Sequence, residues 1–294
     1  MQRKSLLGHV AVVVGAGALV LSTGVVAGAS TFGAKYNAAD AKLVPAPYKK
    51  TVLQVATDAT YPPDESMRGT TMIGFDVDLM NAIAATLGVK IKENNVTFDS
   101  ILAGIKGGRY QVGNSSFTDN TAREKQVYFV DYFQAGEGVY AKKGEKVSFK
   151  GLKSFCGLKI AVETGTVEQT DAQTAAKSCP TSKKAVVLTF PTQTGANLAV
   201  LSGQANVGFA DSQIATYIVA TSKGKFENVG SAINVAPYGI AFPKTAIGHK
   251  MALATQAAIK TLIASGVYHA ILAHWGVTQG GLPANKIVIN GAAG

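Results

Sequence analysis

Charge is scarce in this chain. Asp, Glu, Lys and Arg make up only 16% of its 294 residues, against 47% apolar residues. Such a composition can bury a core, which excludes disorder for the bulk of the chain. The length suffices for two lobes of ordinary size. Cysteine is scarcer still, with Cys156 and Cys179 alone. Neither has a C-x-x-C neighbour, so redox catalysis and zinc binding find little support. The four histidines, His9, His249, His269 and His274, show no ligand spacing such as H-E-x-x-H. We expect no metal and no cofactor.

Formal charge is absent altogether between Lys4 and Lys35. The chain opens MQRKSLLGHVAVVVGAGALVLSTGVVAGAS, a short basic start, an apolar stretch and then Ala27-Gly28-Ala29. This order fits a secretory signal peptide over 1–29, cleaved near Ala29. The alternative is an uncleaved anchor, because the uncharged run exceeds the ~20 residues that span a bilayer. The many glycines and alanines favour cleavage. No cysteine lies near the site, which excludes lipid attachment there. In an exported chain two cysteines read as a disulfide, so a Cys156–Cys179 bond is expected. Residues 30–50, with AADAKLVPAPYKK, read as a linker.

Acids are the scarcer sign, 18 against 28 bases. The densest basic group is KKGEKVSFKGLK, Lys142 to Lys153. An exported chain meets no nucleic acid, so this group reads as a solvated face.

What is present is alternation. TVLQVATD reads as a strand running into the turn ATYPPDES. GFDVDLMNAIAATLGVKI has helical spacing at Leu79, Met80, Ile83 and Leu87, stopped by Gly88. A strand, the helix FDSILAGIKGG and the strand RYQVG follow. After Lys150 the pattern restarts, with strands KIAVE, AVVLTF and NVGFA and with helices opening at TGTVEQT and GANLAVLSGQ. The tail from Ile247 to Trp275 is helical. Alternating strands and helices predict an α/β fold with a largely parallel sheet. ILAGIKGGRYQVGNSS also aligns with NLAVLSGQANVGFADS, allowing one gap. That places Ser116 and Asp211 at equivalent strand ends of two similar lobes.

Ligands of open parallel sheets bind beyond the carboxyl ends of the strands. Here those ends carry Asp58, Ser115, Ser116, Thr166 and Asp211. The stretch NSSFTDNTAREK adds Arg123, a planar cation suited to a carboxylate. Asp211 suits an ammonium. A carboxylate and an ammonium on adjacent carbons describe an α-amino acid. Each residue also has a plainer reading. The hydroxyls of Ser115, Ser116 and Thr118 suit loop capping, Arg123 a surface ion pair, and Asp211 a helix N-cap.

TDATYPP, GFDVDLMNAIAATLGVKI, FDSILAGIKGGRYQV, SSFTDNTAREK, ETGTVEQ, FADS and YHAILAHWG fall in one familiar order. Over about residues 51–280 the chain resembles the extracellular solute-binding proteins of family 3, the polar amino-acid receptors of ABC importers. The resemblance implies two α/β lobes of the type II periplasmic-binding-protein fold, joined by a two-strand hinge. It implies lobe 1 over 51–138 and 237–294 and lobe 2 over 139–236. It also implies a monomer, a membrane permease as partner and a periplasmic location.

Residue by residue, the resemblance puts Tyr61 over the ligand and Phe98 along an apolar wall. Ser115, Ser116 and Thr118 exchange hydrogen bonds with the ligand, and Arg123 holds its α-carboxylate. Thr166 and Val167 offer backbone N–H groups, and Asp211 takes the α-ammonium. Two departures stand out. Val167 lacks the hydroxyl frequent in the family, and Asp64 stands where an aromatic is usual. Asp58, Asp64 and Glu65 are expected as an acidic rim beside Tyr61, favouring arginine, lysine, histidine or glutamine over glutamate. Two alternatives remain open. One is a dehydratase-type enzyme of the same fold, with Glu163, Glu168 or Asp64 as proton donor. The other is a sensor module acting in trans.

Overall fold

The computed structural model describes residues 31–293. The expected signal peptide over 1–29 therefore lies outside the described residues. The expected linker is folded. Asn37 accepts hydrogen bonds from the N–H groups of Ala39 and Asp40 and so caps α1 (Ala38–Leu43), and α2 (Ala46–Lys49) follows. The Asn37 N–H donates to the Thr86 carbonyl at 2.9 Å, and the Thr261 hydroxyl donates to Asp40 Oδ2 at 2.7 Å. Val44 enters the main core. The prolines and lysines of this segment suggested a linker, but burial of Ala41 and Val44 overrides them.

The first lobe begins with β1 (Val52–Thr57). The antiparallel unit β2 (Thr60–Tyr61), β3 (Glu65–Arg68) and β4 (Thr71–Ile73) follows. Then come α3 (Phe75–Leu87), β5 (Lys90–Asn95), α4 (Phe98–Lys106), β6 (Val112–Gly113) and α5 (Thr121–Glu124). The long strand β7 (Val127–Lys142) leads into β8 (Lys159–Glu163), α6 (Val167–Ser178), β9 (Val186–Phe190) and α7 (Gln193–Ser202). Next are β10 (Val207–Asp211), α8 (Ser212–Thr221) and β11 (Phe226–Asn228). The strand β12 (Ile233–Pro243) returns the chain to α9 (Ala246–Ala264) and α10 (Val267–Trp275). The expected lobe boundaries fall inside β7 and β12.

The large sheet runs β5-β1-β6-β12-β7-β10-β8-β9, with β11 also on β7. β1 is parallel to β5 and β6, and β8 is parallel to β9 and β10. The sheet is thus parallel at both flanks and antiparallel where β7 and β12 pair at its centre. A largely parallel sheet was expected from the βα alternation. The two long strands reverse that rule because the chain crosses between lobes on them. One core packs α3, α9 and α10 against the sheet around Leu79, Met80, Ile83, Met251 and Ile271, while Phe98 and Phe117 mark a smaller one on α4. The second lobe has its own two cores, around Val200 and Ile214 and around Phe155 and Phe209. Among the described residues no helix is long and apolar enough to cross a membrane.

The turn between β2 and β3 corrects an expectation. Asp64 and Glu65 are fully buried, with no exposed surface, and form no acidic rim. Ser116 Oγ lies 2.9 Å from Asp64 Oδ2 and 3.3 Å from Glu65 Oε2 and Asp76 Oδ2. Ser115 Oγ donates to Glu65 Oε1 at 2.7 Å, and Tyr132 donates to Asp76 Oδ1 at 2.7 Å. Burial, then repulsion from Asp76, pushes Asp64 and Glu65 well above the ordinary carboxyl range, and burial raises Asp76 to about 6. Gly74 makes this packing feasible. Its φ is +147°, and a Cβ there would sit 2.0 Å from the Asp64 carbonyl oxygen.

Two predictions follow from these contacts. Cys156 and Cys179 form the expected disulfide, with Cα atoms 5.4 Å apart and a sequence separation of 23. Replacing both by serine should lower the unfolding free energy by roughly 2–4 kcal/mol. Urea titration under non-reducing conditions measures this, and an unchanged midpoint would show that the bond contributes nothing. The second concerns Asp64. Its folded pKa lies above the unfolded value of about 3.9, so the folded chain holds more protons and stability falls as pH rises. Asp64→Asn removes one contributor to that loss. Its stability relative to the native chain should therefore improve from pH 5 to pH 8. Parallel pH slopes in urea unfolding would contradict the assignment.

Candidate ligand cleft

The carboxyl ends of the strands from both lobes meet around one narrow, nearly filled cavity. From the first lobe come Asp58 after β1, Tyr61 on β2, Phe98 opening α4, and Ser115, Ser116, Thr118 and Arg123 after β6. From the second come Thr166 and Val167 at the start of α6 and Asp211 ending β10. Every site residue expected from the sequence thus lines the cavity. Glu65, Glu163 and Glu168 line it too. Glu163 and Glu168 were expected only as candidate proton donors of the enzyme alternative.

The hydroxyl-rich stretch before Arg123 is a device for holding that arginine. Asn120 accepts hydrogen bonds from the N–H groups of Ala122 and Arg123 and starts the single turn α5. The guanidinium is thereby turned back into the protein, only 8% exposed. Nη1 donates to the Thr118 carbonyl at 2.8 Å and Nη2 to the Gly165 carbonyl of the other lobe at 3.0 Å. Phe98 and Phe117 stack with centroids 4.5 Å apart, and the guanidinium carbon lies 5.5 and 5.4 Å from their centroids. Such cation–π contacts hold a partly desolvated cation. Phe117 was not expected here, though it sits between Ser116 and Thr118. Burial lowers the guanidinium pKa, while Glu168 and then Asp211 pull it back up. It remains charged, since arginine does not lose its proton in proteins.

Asp211 occupies the N-cap position of α8 but makes no side-chain capping bond. Its Oδ2 instead accepts from the Tyr61 hydroxyl at 2.7 Å. The plainer N-cap reading therefore fails, and the carboxyl is turned into the cavity. Burial raises it to about 6. Glu168 lies beside it, raised well above its ordinary value by burial and by Asp211, with Oε1 buried and unpartnered. Asp58 is fixed by the N–H groups of Thr60 at 3.1 Å and Phe98 at 2.9 Å. Glu163 lines the same cavity from the other lobe, where burial and then the Asp58 charge raise it to about 10.

Thr166 caps α6 by accepting from the Gln169 N–H at 3.1 Å. The Gly165 N–H donates to Gln169 Oε1 at 2.7 Å. The hydroxyl of Thr166 and the amide of Gly165 are thus committed inside the second lobe. Further hydrogen bonds join the lobes. Gln213 donates to Asp64 Oδ2 at 2.8 Å and the Gln193 N–H to Thr60 Oγ1 at 3.2 Å. The lobes are closed on one another. Gly165 permits this approach, since its φ is +87° and a Cβ there would lie 3.0 Å from Asp99 Cβ.

Comparison with known proteins agrees with this geometry. The model of the bacterial extracellular solute-binding proteins, family 3, matches residues 53–278. The arginine-binding protein ArgT of Corynebacterium glutamicum is 30% identical over 233 residues, 78% of this chain and 75% of that protein. A solved structure of an ancestral arginine-binding protein bound to arginine superposes with a TM-score of 0.71 at 29% identity. It covers 77% of this chain and 99% of its own. An ancestral amino-acid-binding protein described as a precursor of cyclohexadienyl dehydratase superposes with a TM-score of 0.68 at 27% identity, covering 77% and 96%. Sequence, lobes and cleft thus point the same way, and the chain belongs to the bacterial extracellular solute-binding proteins, family 3.

Proposed function

We propose that this chain is the capturing receptor of an ABC importer. It closes on a basic L-amino acid of the arginine or lysine type and presents the closed form to a membrane permease. One observation carries the ligand assignment. The cavity is lined by five carboxyl groups, Asp58, Glu65, Glu163, Glu168 and Asp211, against one guanidinium. A ligand with one carboxylate and two cationic groups complements that set. Arg123 takes the carboxylate, exchanging its bonds to backbone carbonyls for a bidentate pair. Asp211 with Glu168 takes the α-ammonium, and Asp58 faces the distal cation. The acids beside the distal cation are Asp58 and Glu163, rather than the Asp64 and Glu65 that the sequence suggested.

Micromolar binding requires about 8 kcal/mol. Hydrogen bonds to charged groups at roughly 1.5–3 kcal/mol each reach that value after ordering costs. Val167 supplies no hydroxyl, so the carboxylate relies on Arg123 and on the first-turn N–H groups of α6.

The same reading assigns export by residues 1–29 and action as a monomer. It assigns lobe 1 to 51–138 and 237–294 and lobe 2 to 139–236. The resemblance to a dehydratase precursor supports a second reading, in which Glu163, raised to about 10 by burial, acts as a general acid. The surplus of carboxyl groups argues against an acidic substrate of that kind.

Titration calorimetry with arginine, lysine, histidine, glutamine, glutamate and a prephenate-like acid tests the proposal. Arginine or lysine should bind at micromolar concentration or better, glutamate should not displace it, and the prephenate-like acid should persist unchanged. Arg123→Lys should weaken arginine binding at least tenfold while the melting temperature stays within a few degrees, because an ammonium cannot make the bidentate pair. Displacement by glutamate, or turnover of the acid, would overturn the assignment.

A further inference from the structure

Glu163 and Asp58 face each other from different lobes. Asp58 ends β1 of the first lobe and Glu163 ends β8 of the second. Both are 2% exposed and both line the cavity. Their surroundings differ. Asp58 receives two backbone N–H groups, which favour a carboxylate. Glu163 Oε1 is buried with no hydrogen-bond partner. The groups facing Glu163 are Asp58 from the first lobe, the Gln193 N–H at the start of α7, and Asp211. The hydroxyls of Tyr61 and Tyr140 lie further off. No cation is among them.

Two carboxyl groups buried on the walls of one cavity disfavour each other's ionisation unless a positive charge lies between them. In the closed protein the proton fills that role. Burial, then the Asp58 charge, pushes Glu163 up to about 10, so at neutral pH it is the acid and Asp58 the carboxylate.

We infer that Glu163 sets the specificity for a cationic side chain, because the distal cation of the ligand replaces the proton that Glu163 shares with Asp58. The inference rests on the receptor reading above. The exchange balances simply. The O–H bond of Glu163 breaks, its electron pair stays on the carboxylate, and the proton leaves to buffer. The distal guanidinium or ammonium then lies between two carboxylates, one from each lobe. A neutral side chain such as that of glutamine cannot compensate a second negative charge. Around glutamine the closed form holds Glu163 protonated, and around arginine it does not. Closure around a basic ligand is therefore strengthened by the second lobe, and closure around a neutral one is not.

Calorimetry of the native protein in two buffers of different ionisation enthalpy tests this directly. At pH 7 the proton balance of arginine binding and of glutamine binding should differ by close to one, with arginine on the side of release. The arginine-to-glutamine affinity ratio should rise toward tenfold per pH unit between pH 6 and pH 8. Glu163→Gln should abolish that difference and lower the affinity ratio at least tenfold, and Glu163→Asp should restore part of both. Equal proton balance with both ligands would overturn this inference alone. Failure of the native protein to bind any amino acid would overturn the receptor reading and this inference with it.

Discussion

Carboxyl groups are buried in this protein with one guanidinium among them, and the closed arrangement depends on how that burial is compensated. An isolated buried carboxylate is costly, so each acid must find a donor, a proton or a cation. Hydroxyls serve several of them. Tyr61 serves Asp211, Tyr132 serves Asp76, and Ser115 and Ser116 serve Glu65 and Asp64. Backbone N–H groups serve Asp58. Arg123 is left to act over a distance on Glu168 and Asp211. Hydrogen bonds to these acids also cross the cleft, from Tyr61 to Asp211 and from Gln213 to Asp64. The acids therefore do more than line the cavity. They are part of what holds the lobes face to face.

The sequence made much of this legible because the elements are locally consistent. Leu79, Met80, Ile83 and Leu87 share one face of α3, and Gly88 stops the helix in the left-handed region at φ +66°. The strands KIAVE and NVGFA are almost wholly buried, and their flanks are parallel as alternation predicts. The two helix–strand units, α4–β6 and α7–β10, both deliver polar residues to the cavity. What was not legible has a common cause. The pairing of β7 with β12, the docking of residues 31–50 on Thr86 and Thr261, and the burial of Asp64 and Glu65 all join residues far apart in sequence. Local pattern carries no information about such partners. A run of acids in a turn reads as solvated until the hydroxyls that satisfy it are seen.

Arg123 shows the same limit from the other side. The residue could be singled out, and so could the polar run before it. Its actual seat depends on the Gly165 carbonyl, 42 positions away, and on a stacked pair of rings. Phe98 and Phe117 read separately as wall and as unremarked loop residue. Only their stacking makes a platform for the guanidinium. Asp211 was ambiguous between cap and ligand group for a related reason. The hydrogen bond that decides it comes from Tyr61, 150 positions earlier.

Closure in this fold is a balance that a small ligand has to tip. The apolar cores are largely confined to one lobe each, and Tyr61 is the exception, packing into a cluster otherwise formed by the second lobe. The contacts between lobes are otherwise mainly polar, made by strand ends and helix starts. Such contacts exchange with water at little net gain, roughly 0.5–1.5 kcal/mol each. The open and closed forms can therefore lie close in energy, and a ligand shifts them only by its differential affinity. Ligand contacts that are the same in the open and closed forms contribute nothing to that difference. Contacts completed only when the lobes meet contribute to it. Arg123 beside Gly165, Tyr61 beside Asp211 and Glu163 with Asp58 stand where such contacts would be made. The sensitivity of the receptor thus resides in pairs split across the cleft, where a charge on the ligand can be read only when the lobes have met.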